Sequence, residues 1–122
     1  MSAGDTLSLD VAADPSLLST ARLFAASAAR LAGCDDDTIA DVRLAVSEAC
    51  TRAIRGADGA EHLLRVTAEV TGSDLTLTVE GPDGPAAPDD LPGVDLLASL
   101  FPSVQRRIDD GRATLRFAAP LA

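Results

Sequence analysis

The sequence predicts an α+β domain, a two-layer sandwich in which three helices cover one face of a mixed, mostly antiparallel sheet of about five strands. Three observations lead there. The chain has 122 residues, 47% of them apolar, enough for one domain (1–122) to bury a core without staples. Two consecutive stretches carry apolar residues at steps of three and four, the spacing of amphipathic helices. Short alternating segments then follow in pairs, split by Gly-, Asp- and Pro-containing turns, as in hairpins. No internal repeat is visible.

"TLSLDVA" (residues 6–12) alternates Leu7, Leu9 and Val11 with polar neighbours, a half-buried strand. The first helix opens with Asp14 as N-cap and Pro15 at its first position, and it stops at Gly33. Its expected inner face is Leu17, Thr20, Ala21, Phe24, Ala28 and Leu31. "CDDDT" opens the second helix, with acids where the positive end of the helix dipole favours them. That helix should bury Ile39, Val42, Val46, Ala49, Ala53 and Ile54, and end near "GADGA". "HLLRVTAEVTG" and "DLTLTVEG" form a hairpin turning at "GSD". A loop rich in Pro, Gly and Asp fills 82–93; "VDLLASLF" is a short helix halted by Pro102; "SVQRRID" and "RATLRFAA" are two strands around "DDGR".

Composition excludes several function classes. The net charge is −9 and there are three Phe with no Tyr or Trp. Single strands are held by aromatic stacking in basic grooves, and duplexes by clustered cations. Direct nucleic-acid binding is therefore not expected. All ten basic residues are arginine, a sign of GC-rich codons. The N-terminal segment has neither a basic region nor an apolar run, and no apolar stretch approaches the roughly 18 residues of a membrane span. The reading is a cytoplasmic protein with no membrane contact. Cys34 and Cys50 lack CxxC spacing and read as reduced thiols, Cys50 in the core. His62 is the sole histidine, with no metal-ligand spacing around it, so no metal site is expected. The acidic runs read as helix starts and turns.

The chemistry-bearing stretch is "RLAVSEACTRAI", residues 43–54. Glu48 and Arg52 stand four apart, on one side of the helix. Such a pair is either a surface ion pair, worth about 0.3–0.5 kcal/mol, or two residues sharing a cleft. Together with the element order, Leu44, Val46, Glu48, Ala49, Ala53 and Ile54 resemble the helix motif of the GHKL (Bergerat-fold) ATPases. Within them the chain most resembles the small anti-sigma-factor serine kinases. The resemblance covers nearly the whole chain in element order and is specific by residue in this helix.

The resemblance implies that Glu48 holds the position of the catalytic base, or of the group that orients the attacking oxygen. It also implies that Arg52 stands where the family has a magnesium-holding asparagine. A guanidinium has donors and no acceptor, so it cannot hold the metal; it can grip a phosphate or pin Glu48. The family's adenine-reading D-x-G-x-G corresponds to "VEGPDGP". In direct register Gly81 takes the aspartate's place, Asp83 the first glycine's and Pro85 the second's, while Asp83-Gly84 is the displaced alternative. At the phosphate-cradling motif Gly93 and Leu96 are kept and Asp95 replaces the second glycine. The loop at 82–93 takes the place of the ATP lid.

The expected protein is an anti-sigma-factor-like regulator with impaired or lost Mg-ATP binding. No cofactor is then required, and ATP with Mg²⁺ enters only if the altered motifs still bind. The resemblance implies a sigma factor or a STAS-type antagonist as partner, and a homodimer. Two alternatives stand beside it. One is an active serine/threonine kinase using Glu48. The other is a sensor in which Arg52 and Arg55 take another phosphorylated or nucleotide ligand, with Asp83, Gly84, Gly93 and Asp95 as further candidate contacts.

Overall fold

The computed structural model describes residues 1–57, 59–82 and 92–122, with side chains of the last segment described from Leu96 onward. The element order is β1 (Thr6–Ala12), a 3-10 turn (Pro15–Leu17), α1 (Leu18–Ala32), α2 (Asp36–Gly56), β2 (Leu63–Thr71), β3 (Asp74–Pro82), α3 (Pro92–Leu100), β4 (Gln105–Asp109) and β5 (Arg112–Pro120). The strands form one open sheet in the order β1-β2-β3-β5-β4. Every pairing is antiparallel. The expected sheet is thus found in its fully antiparallel form: a pair of helices leads to β2, hairpins lead to β3 and β5, and the crossover through α3 brings β4 in the same sense as β3 with β5 inserted between them.

Local chemistry sets the boundaries. Asp14 accepts from the Ser16 amide, with Pro15 behind it, and a 3-10 turn forms before α1 begins. Gly33, at φ 94°, closes α1 through its own amide to the carbonyls of Ala29 and Arg30. Asp35 caps α2 through the Thr38 amide. The β2–β3 turn places Gly72 at φ 62° first, and the β4–β5 turn carries Asp110 and Gly111 both at positive φ, the pair a type I′ hairpin requires.

The core lies between the helices and one face of the sheet. Leu64, Val66, Ala68 and Val70 of β2, Leu75, Leu77 and Val79 of β3, and Leu115, Phe117 and Ala119 of β5 are all buried. Each large aliphatic there is worth about 1.5–3 kcal/mol of burial. Phe117 stacks on Phe101, just beyond α3, with centroids 4.6 Å apart, adding about 0.5–1.5 kcal/mol. The opposite face is polar and carries ion pairs between Asp10 and Arg65 and between Glu80 and Arg112.

Helix α1 turns the expected Ala21 and Ala28 to the core, with Leu17 and Phe24 partly buried against it, but not Thr20 or Leu31. Its buried residues are Ala21, Ala25, Ala26, Ala28 and Ala29, while Thr20 is exposed and Leu31 is 60% exposed. A stripe of methyl groups lets helices approach closely, so alanine outcompetes the larger leucines for this interface. Helix α2 buries Ile39, Val42, Val46 and Ala49 as expected, with Ala45 and Cys50; Ala53 and Ile54 are partly buried against the same core.

Candidate functional site

Between α2 and the β3–β5–β4 half of the sheet lies a cleft lined by Ala49, Arg52 and Ala53 of α2, Val79 and Pro82 of β3, and Arg106, Ala113 and Leu115. The register places Arg106 opposite Leu115, and so on the helix-facing side of β4. The space these residues enclose is about 20 Å³, room for a water or two. Small-molecule pockets run to about 300–1,000 Å³.

Arg52 is 5% exposed, one of two buried polar or charged side chains among the described residues. It lines the cleft with Ala49 and Ala53 of the same helix. Glu48, one turn earlier, is half-buried. Among the described residues ion pairs join Arg65 to Asp10, Arg112 to Glu80 and His62 to Glu61; Glu48 is in none of them. With Arg52 buried, a solvent-exposed Glu48–Arg52 ion pair is not what the spacing encodes. Arg55, three residues on, is exposed and does not line the cleft.

Gly81 ends the β3 wall beside Ala53. A Cβ placed on it would stand 3.1 Å from the Ala53 Cβ and 2.8 Å from Leu64 Cδ2. Its backbone is not in the positive-φ region, so what a side chain here would meet is this close approach of helix to strand. Gly93 and Asp95 fall within α3. Asp83 and Gly84 lie outside the described residues, as does most of the loop in the ATP-lid position.

Arg106 is the cleft residue that sequence reasoning missed. The signal was present: in "SVQRRID" the alternation puts Arg106 on the same side as Val104 and Ile108. No group of three or more His, Cys, Asp or Glu among the described residues has the arrangement of a metal site. Both cysteines are free and buried, and burial pushes the Cys50 thiol up to about 12. No described helix is long and apolar enough to cross a membrane.

A two-layer sandwich of this topology, with a cleft between its second helix and the sheet, defines a class, and the comparisons agree with it. The histidine kinase-like ATPase domain family matches residues 11–117, and the chain belongs to that family. Among solved structures it is similar to the RsbU and RsbW domains of Rv1364c from Mycobacterium tuberculosis, with a TM-score of 0.79 at 18% identity. That match covers 96% of this chain and 32% of the other, so the chain spans about a third of that protein's length. At this identity the likeness is one of fold. No curated protein sequence matches.

Proposed function

We propose that the chain is an anti-sigma-factor-like regulator that works by holding a protein partner, with the Mg-ATP chemistry of its family impaired or lost. The observation that carries this reading is the burial of Arg52 in the cleft, on the helix face where the family resemblance asks for a magnesium-holding oxygen. A guanidinium offers no lone pair to a cation and brings like charge to the place. The close approach of Ala53 to Gly81 supports the same reading, because any side chain at that position has to displace its neighbours. Both features support a site whose described residues are altered away from Mg-nucleotide binding.

The partners this reading implies are a sigma factor or a STAS-type antagonist, met by a homodimer; likeness in fold to a chain carrying an RsbW domain supports it. The test is calorimetric titration of the purified chain with candidate sigma factors and STAS proteins, with and without Mg-ATP. Binding of equal affinity in both conditions is expected. Binding that requires the nucleotide would contradict it.

The presence of Arg106 beside Arg52 favours a second reading, a sensor for a small anion in place of Mg-ATP. Titration with inorganic pyrophosphate, without metal, addresses it. Saturable binding that Arg106→Ala weakens supports the sensor, and absence of binding removes it.

A further inference from the structure

The sheet is open, with β1 at one edge and β4 at the other, and the two edges differ in charge. The β1 sequence, TLSLDVA, carries Asp10 and no cation. The β4–β5 hairpin carries Arg106, Arg107, Arg112 and Arg116, four of the ten basic residues, against Asp109 and Asp110. A positive edge thus stands on a chain whose net charge is −9.

The backbone of β4 is placed to pair again. The two-residue turn at Asp110 and Gly111 makes Asp109 and Arg112 a hydrogen-bonded pair. Bonded and non-bonded pairs alternate along an antiparallel ladder, so the N–H and C=O of Ile108 point away from β5, toward the edge. β4 contains no proline and its register runs one to one, without a bulge; such devices ordinarily blunt an edge.

The side chains add a pattern. Ile108, on the helix-facing side, is 52% exposed. Arg107 stands opposite Thr114 and Arg116 opposite Gln105, so the two cations are diagonal neighbours on the outer face. Both are exposed and belong to none of the ion pairs among the described residues.

We infer that β4 accepts an extended acidic segment of a partner protein as an additional strand. In this mode main-chain hydrogen bonds give affinity and alternate side chains give specificity. An antiparallel segment that sets valine opposite Ile108 sets its next residue opposite Arg107, where a carboxylate is complementary. A second copy of the chain fits less well. Antiparallel self-pairing of Ile108 with Arg106 sets Arg107 against itself, and centring on Arg106 sets that arginine against itself. Centring on Ile108 matches Arg107 to Asp109, but the ladder then meets the turn at Asp110 after one bonded pair. A small anion would leave Ile108 and the edge peptide groups without a role.

The probe is a synthetic peptide of about seven residues, alternating Val and Glu, titrated into the ¹⁵N-labelled chain. Saturable amide shifts from Arg106 to Asp109 are expected, with slowed hydrogen exchange at the Ile108 amide. In Arg107→Glu the affinity falls by about tenfold, with an unchanged melting temperature because the side chain is exposed. A peptide N-methylated at its valines, or one with Lys in place of Glu, produces no saturable shifts. The proposal is overturned if nothing saturates, if the shifts fall on β1 or on α2, or if Arg107→Glu or the N-methylated peptide binds as the originals do. It is equally overturned if the same amides shift with the concentration of the chain alone, since the occupant is then a second copy.

Discussion

Gly81 on β3 faces Ala53 on α2 so closely that a Cβ added to the glycine would stand 3.1 Å from the alanine Cβ. The helix that carries Arg52 is thereby seated against the end of β3.

Gly81→Asp should destabilise the fold by about 3 kcal/mol, since it combines overpacking with burial of a carboxylate. Gly81→Ala should lose about 1–3 kcal/mol from overpacking alone. Urea denaturation midpoints measure both. Neither substitution should produce Mg-ATP binding.

Because Arg52 is buried, its aliphatic stem should contribute to stability as well as its charge. Arg52→Ala is expected to lower stability by about 2 kcal/mol, and Arg52→Met, which keeps the stem, by roughly half of that. Equal losses in the two variants, measured by thermal melting, would show that the packing of the stem is immaterial.

Both thiols should resist modification in the folded chain. Desolvation pushes Cys50 up to about 12 and raises Cys34, where Asp35 adds to the effect. A thiolate-directed reagent at pH 8 should react slowly with native protein and rapidly with both cysteines in denaturant. Fast reaction of one thiol in the native state would contradict the burial described.

Acid should weaken the fold through its caps and its cross-strand pair. Asp14 and Asp35 are held below the usual carboxylate range by the amides of Ser16 and Thr38, and Asp10 by the Arg65 guanidinium beside it. Each binds fewer protons folded than unfolded, so its contribution is present above the ordinary carboxylate pKa near 4 and is lost as pH falls through the lower folded value. Melting temperature should drop between about pH 5 and pH 2. Asp35→Asn, which still caps but does not titrate, should show a smaller drop.

Much of the fold was legible in the sequence because its signals are local. Asp35, Gly33 and the turns at Gly72 and Gly111 each act through their own backbone or the next residues. The facing of α1 was legible only in part, since ranking Leu31 above Ala25 follows hydrophobicity and ignores how closely two helices can lie. Arg52 lines the cleft, a position that was one of two readings held for it. Its burial could not be read, because a charged residue on a helix is ordinarily solvated and only the tertiary packing of α2 on β3 encloses it. The reason for Gly81 lies in the same packing: a glycine beside proline reads as a turn, and its contact with Ala53 joins residues far apart in the chain. Arg106 was legible by alternation, but in a short edge strand that signal is weak.

The most direct test of the account is isothermal calorimetry of the chain with ATP, in the presence and absence of Mg²⁺. A small cleft lined by a buried Arg52 predicts no magnesium-dependent heat at millimolar nucleotide. Magnesium-dependent binding at micromolar affinity, about −8 kcal/mol, would contradict it. The site would then be a working one, with a metal ligand other than Arg52 and with Glu48 free to act as the base of a kinase.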